Sequence, residues 1–114
     1  MLNSGSISIV IPACNDGQFL ETVLHKIDGQ TVFPAESIIV DSSTNDGVKH
    51  LIERYEGATP IVYQREKKAY PGKARNIGVG LANSDWIAFL DSKTVPDKDW
   101  LERYHYLIQA YNSD

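Results

Sequence analysis

Two hydrophobic periods alternate along the chain, and that alternation limits its possible folds more than any other feature. Apolar, largely β-branched runs at 7–11, 37–40, 60–64 and 86–90 read as strands. Continuous runs of this length suit strands covered on both faces. Between and after them, apolar residues recur at helical spacing. The four stripes are Phe19, Leu20, Val23, Leu24, Ile27; Val48, Leu51, Ile52, Tyr55; Ala74, Ile77, Leu81, Ala82; and Trp100, Leu101, Tyr104, Leu107, Ile108, Tyr111. Gly78 and Gly80 loosen the third stripe. The punctuation agrees with this division. Pro12 ends the first strand. Asn15 or Asp16 caps the first helix and Gly29 ends it. Asp46 and Gly57 bracket the second helix. Pro71 suits the first turn of the third, and Pro96, Asp97 and Asp99 lead into the fourth.

Strand and helix alternating four times predict an α/β domain. Its sheet is mostly parallel, with helices on both faces in three α/β/α layers. The 114 residues form one domain, 1–114, long enough to bury a core without staples. Sheets of this kind bind ligands beyond the carboxyl ends of their strands, near a reversal of strand order. The informative segments are therefore 12–16, 41–47, 65–75 and 91–93.

Charge and cysteine usage narrow the partners. The net charge of −4 gives no bulk attraction to nucleic acid, and none is expected as a partner. An anionic ligand has to be held by local groups. No stretch approaches the ~20 apolar residues of a membrane span. The short polar start lacks the basic and apolar regions of a signal peptide. Cys14 is the single cysteine, so no intramolecular disulfide is possible. A lone thiol fits a reducing compartment, and a cytoplasmic location is expected.

Asp41 ends a strand and opens a run of small polar residues that includes Ser43. Its carboxylate can accept a hydrogen bond from a base N–H or a ribose hydroxyl, or it can cap a turn. Asp91 holds the same place on a later strand. It can ligate a divalent cation that bridges a diphosphate, or again cap a turn. Gly72, Lys73 and Arg75 open the third helix. Gly72 permits close backbone approach, the helix start attracts phosphate, and Lys73 and Arg75 add full charge. A solvated helix face is the alternative, above all for Lys73. Arg65, Lys67 and Lys68 form an exposed loop or line the ligand's way in. Pro12, Ala13 and Cys14 present small surfaces that let a flat base approach. Cys14 has no base beside it in sequence and reads as packing rather than as a nucleophile. His25, His50 and His105 lack metal-ligand spacing and read as surface or satisfied residues. Trp86, Trp100 and the tyrosines fit core or amphipathic positions better than a stacking platform.

These segments together resemble family 2 glycosyltransferases. Residues 7–16, with Ile9-Val10-Ile11-Pro12-Ala13-Cys14-Asn15-Asp16, are similar to the family's opening SIVIPxYN strand and the acid after it. Ile38-Ile39-Val40-Asp41-Ser42-Ser43-Thr44-Asn45-Asp46-Gly47 resembles IIVVDDGSTDG. Gly72-Lys73-Ala74-Arg75-Asn76-Ile77-Gly78 resembles the GxxxARNxG helix. Trp86-Ile87-Ala88-Phe89-Leu90-Asp91-Ser92-Lys93 resembles YIAFLDxD, and Pro96-Asp97-Lys98-Asp99-Trp100-Leu101 the PDWL-type run that follows.

The resemblance implies a truncated GT-A fold, a Rossmann-like domain that binds a nucleotide-diphosphate sugar, most often a UDP-sugar. It implies that 12–14 and the side chain of Asp41 contact the base. Arg75 and the helix start sit near the diphosphate or sugar. Asp91 becomes the first acid of the DXD motif, which holds Mn²⁺ or Mg²⁺. Three departures stand out. Lys93 occupies the place of the second DXD acid; a lysine repels a cation and can itself supply the positive charge. Cys14 replaces an aromatic residue and Ser42 an acid. The chain ends soon after the DXD position, whereas family members continue into an acceptor half that carries the general base.

The implied activity is inverting glycosyl transfer to an acceptor hydroxyl, of the hexosyltransferase type and in cell-wall or polysaccharide biosynthesis, with these residues as the donor-binding part of a longer chain. The alternative is a module that binds a nucleotide sugar or a protein without turnover. A receiver-like signalling domain expects an acidic pair after the first strand, which Asn15 and Asp16 supply poorly.

Overall fold

The computed structural model describes residues 6–112. Strands and helices alternate as read: β1 Ile7–Ala13, α1 Gly17–Asp28, β2 Glu36–Asp41, α2 Gly47–Arg54, β3 Ile61–Arg65, α3 Pro71–Leu81, β4 Trp86–Phe89 and α4 Trp100–Asn112. The four strands form one parallel sheet in the order β3-β2-β1-β4. The chain steps outward from β1 to β3 and then returns to the other side of β1. The order therefore reverses at β1/β4, where this architecture places its ligands.

Alternation along the strands divides the core into two layers. Ile7, Ile9, Ile11 and Ala13 pack with Leu20, Val23, Leu24, Ile27, Val48, Leu51, Leu101 and Ile108, the buried residues of α1, α2 and α4. Val10, Ile38 and Val40 face the other way, against Ala74 of α3 and Ala69. Ile9, Val10, Ile11, Ile38, Ile39 and Val40 have no exposed surface. Each such side chain contributes about 1.5–3 kcal/mol through burial. Gly78 is what lets α3 lie close to the sheet, because a Cβ there would collide with Val10.

Several boundaries differ from the sequence reading. β1 runs through Pro12 instead of stopping at it, and Pro12 pairs with Val40. The carbonyl of Val10 accepts from Leu90 on the β4 side, while that of Ala13 accepts from Ser42 on the β2 side. Pro12 therefore points its missing N–H toward β4, whose pairing with β1 ends at Val10–Phe89. Having no N–H to give, Pro12 ends the β1–β4 ladder there while β1 continues against β2. β3 runs to Arg65 and not to Gln64, and α2 ends at Arg54, ahead of Gly57. Asp16 and Asp46 stand at N-cap positions, but neither side chain bonds its own helix. Both are committed to other loops.

Candidate functional site

The loops after β1 and β2 are laced together. Ser42 N–H donates to the Ala13 carbonyl at 2.9 Å, and Ser43 Oγ accepts from Asn15 N–H at 2.7 Å. Asn15 Oδ1 accepts from Thr44 N–H at 3.0 Å. Asn15 adopts a left-handed backbone, φ 57°, which asparagine tolerates better than most residues. The loop after β4 is tied back to β1 through Asp16, which accepts from Ser92 Oγ and from Cys14 N–H. Asp91 Oδ1 accepts from Lys93 N–H at 2.8 Å, and the Asp91 carbonyl from Thr94 N–H at 3.0 Å. Each loop is held in place by the others.

These loops and the start of α3 enclose a cleft of about 610 Å³ at the carboxyl edge of the sheet. Pro12, Ala13, Cys14, Ser42, Tyr70, Arg75, Asp91 and Lys93 line it, with Lys68 and Asp16. Lys68, Arg75 and Lys93 set three cations against the carboxylates of Asp16 and Asp91, in a chain of net charge −4. None of the three forms an ion pair with another described residue. Arg54, Arg65 and Arg103 each pair with a carboxylate, so Arg75 is the arginine without one among the described residues. Lys68 is held at φ 61°, a conformation costly for a lysine and typical of ligand clamps.

Seven of the residues singled out from sequence meet in this cleft: Pro12, Ala13, Cys14, Lys68, Arg75, Asp91 and Lys93. Asp41 does not line it. Its side chain is fully buried, accepting from Tyr63 Oη at 2.5 Å and Ser43 N–H at 2.9 Å. Arg65 Nε lies 3.9 Å away. Burial, then the bond to Asp41, push the Tyr63 phenol well above its ordinary value, so it stays a donor. The sequence reading makes Asp41 a base contact; in the structure its side chain lies behind the turn, and Ser42 reaches the cleft. Ser43 is also buried and holds Asn15. Gly72 and Lys73 lie exposed on the first turn of α3, outside the lining. A Cβ on Gly72 would meet nothing within 4 Å, so the protein itself does not need glycine there.

Four contributors escaped the spacing arguments. Arg65 is a clamp rather than a loop residue: it donates to Asp46 at 2.7 Å, to the Asn45 carbonyl at 2.7 Å and to the Ser43 carbonyl at 3.2 Å. The bond to Asp46 raises the arginine and lowers the carboxylate. Tyr70 is 82% exposed and forms part of the cleft wall, an exception to the reading of the tyrosines as packing residues. Asp16 and Ser92 meet across 76 positions of sequence, a pairing no local pattern contains. His25 and His50 are exposed as expected. His105 is half-buried, with Nδ1 unpartnered among the described residues.

The donor set fits a protein-held divalent metal poorly. Asp91 is the one exposed carboxylate among the lining residues. Both oxygens of Asp16 already accept hydrogen bonds, and Lys93, two residues on from Asp91, brings an ammonium to the lining and not a further carboxylate. No three His, Cys, Asp or Glu side chains cluster closely enough for a metal among the described residues. None of the described helices is long and apolar enough to cross a membrane.

A doubly wound parallel sheet with a cation-rich cleft at its switch point defines a Rossmann-like α/β ligand-binding domain. The chain belongs to glycosyl transferase family 2, whose model matches residues 8–114. It is 34% identical over 108 residues to the amylovoran biosynthesis glycosyltransferase AmsB of Erwinia amylovora, covering 91% of this chain and 36% of AmsB. Its fold matches that of TarS 1-349 from S. aureus, solved with UDP-GlcNAc, with TM-score 0.82 and 24% identity, covering 96% of this chain and 32% of that fragment. It also matches glucosyl-3-phosphoglycerate synthase of Mycobacterium tuberculosis, solved with Mn²⁺, UDP and glucosyl-3-phosphoglycerate. There the TM-score is 0.59 and the identity 26%, over 76% of this chain and 33% of that one. The architecture is the GT-A fold of these glycosyltransferases. The chain spans about a third of the length of AmsB and of the glycosyltransferase AglE of Haloferax volcanii.

Proposed function

We propose that the cleft binds a nucleotide-diphosphate sugar, a UDP-sugar first among them, as the donor site for glycosyl transfer to an acceptor hydroxyl. The observation that carries this reading is three cations that pair with no carboxylate among the described residues, gathered in one cleft at the β1/β4 switch. Pro12, Ala13, Cys14 and Ser42 offer the base a small-residue floor, and exposed Tyr70 offers it an aromatic face. Arg75, on the first turns of α3, meets the diphosphate together with the positive helix end. Lys73 adds charge from outside the wall. Asp41 and Ser43 act from behind by fixing the turn that presents Ser42.

In the proposed transfer an acceptor oxygen forms a bond to the anomeric carbon as the bond from that carbon to the diphosphate oxygen breaks. The acceptor's proton passes to a base, and negative charge grows on the leaving diphosphate. Fixed cations such as Arg75 lower the barrier by meeting that charge where it develops. The lone cysteine accords with the proposed cytoplasmic setting. A module that holds the donor without turnover is the second reading. It is favoured by the scarcity of free carboxylates in the cleft, where Asp91 is the one exposed.

Calorimetric titration with UDP, UDP-GlcNAc, GDP-mannose and uridine tests the donor site. The diphosphates should bind roughly tenfold or more tightly than uridine, as charge-assisted phosphate contacts require. Equal binding of uridine and UDP would show that the cations do not read phosphate. Release of free sugar or transfer to an added acceptor separates the enzyme from the binding module.

A further inference from the structure

We propose that Lys93 takes the place of a divalent cation in this cleft, so that the donor diphosphate is held without metal. The inference rests on the nucleotide-sugar reading above and assigns the charge that neutralises the diphosphate. Lys93 sits on a preformed turn. Its N–H donates to Asp91 Oδ1 at 2.8 Å, and Thr94 N–H closes the turn onto the Asp91 carbonyl at 3.0 Å. Ser92, between them, is buried and anchored to Asp16. The Lys93 ammonium lies 5.9 Å from the centre of the Phe19 ring, where a cation is favoured. The lysine therefore leaves the turn in a supported direction and has no carboxylate partner among the described residues.

The same geometry works against a metal. Asp91 spends one oxygen on the turn that presents Lys93, and Asp16 spends both of its oxygens on the neighbouring loops. A divalent ion at Asp91 would have one free carboxylate oxygen and an ammonium two residues away. Mg²⁺ and Mn²⁺ want more oxygen ligands than this, and like charges repel. With Arg75 and Lys68 lining the same cleft, Lys93 completes a clamp of organic cations around the space a diphosphate fills. Each contributes a charge-assisted hydrogen bond that a metal would otherwise replace.

UDP and GDP are titrated calorimetrically into the wild-type protein, Lys93→Ala and Lys93→Asp, each in EDTA and in MnCl₂. The wild type should bind nucleotide equally well in both buffers. Lys93→Ala should weaken binding roughly 10- to 100-fold, the range for losing one charged hydrogen bond, with no rescue by Mn²⁺. Lys93→Asp, which rebuilds an acidic pair with Asp91, should bind weakly in EDTA and recover with Mn²⁺. Wild-type binding that needs Mn²⁺, or a Lys93→Ala variant that binds like wild type in EDTA, overturns the lysine assignment and leaves the donor site standing. A wild-type protein that binds neither nucleotide in either buffer overturns the donor site, and this inference with it. Lys93 is exposed, so circular dichroism should show all three proteins folded.

Discussion

Replacing Asp41 separates a residue that holds the site from one that touches the ligand. Its carboxylate has no exposed surface and accepts from Tyr63 Oη at 2.5 Å and Ser43 N–H at 2.9 Å. In Asp41→Ala both donors lose their acceptor inside the protein. Arg65 Nε, which makes no hydrogen bond and is 3.9 Å from Asp41, loses its buried counter-charge. Leaving two donors without their acceptor costs about 1–3 kcal/mol each, while Arg65 keeps its 2.7 Å pair with Asp46. A chain of 114 residues has a total stability of about 6–17 kcal/mol, so a large share disappears. Tyr63→Phe removes only one of the bonds and should cost about 1.5–3 kcal/mol. The double variant should lose less than the sum, because the phenol no longer needs its partner. Urea unfolding followed by circular dichroism measures all three, with an unchanged m-value as the check on two-state behaviour. At temperatures where it stays folded, Asp41→Ala should retain nucleotide binding. A variant as stable as wild type that no longer binds UDP would show that Asp41 is a ligand contact and not a support.

Three further changes probe separate parts of the structure. Gly78→Ala should destabilise by about 1–3 kcal/mol through the clash with Val10, the cost of overpacking. Gly80→Ala, with nothing within 4 Å of its Cβ, should stabilise by about 0.4–1 kcal/mol; thermal melts distinguish the two. Glu36 feels burial first, which pushes it up. The hydrogen bonds from Asn83 and Ser8 outweigh that and leave it below its ordinary 4.5. Its contribution is therefore fully present above pH 4.5 and is lost as pH falls through the lower folded value. Glu36→Gln should flatten that acid limb in urea titrations between pH 3 and 6, approximate limits set around the carboxylate range; an unchanged limb would refute the assignment. Tyr70→Ala should leave the melting temperature nearly unchanged, since the ring is exposed, while weakening UDP by about 1–3 kcal/mol if the base stacks there. Calorimetry reads the difference.

The fold was legible because it rests on local periodicity. β-Branched runs and 3.6-residue stripes name the elements, and their alternation leaves few topologies. Motif order named Pro12, Ala13, Cys14, Arg75, Asp91 and Lys93, which the fold brings to one cleft. The failures share one cause. Which way a strand-end carboxylate turns depends on what lies on the next strand. Asp41 turns inward because Tyr63 of β3 offers it a hydroxyl, and Tyr63 lies 22 positions away in sequence. Arg65 looked like a loop charge because its partners Ser43, Asn45 and Asp46 belong to the previous loop. The bond from Ser92 to Asp16 is likewise invisible to spacing. Tyr70 resembled a packing tyrosine because aromatic residues usually bury, yet it precedes Pro71 at the helix start and points no face into the core. Pro12 looked like a strand end because the absence of a β4 partner beyond Val10 could not be known from the sequence.

Backbone amide shifts of the labelled protein on titration with UDP locate the ligand directly. A diphosphate in the cleft should move Ser42, Arg75, Ser92 and Lys93, which line it from two loops and the start of α3. Shifts gathered instead at Ala35, Glu36, Asn83 and Asp85, which line a hollow near the amino ends of the strands, would put the anion at the wrong edge of the sheet and contradict the assignment.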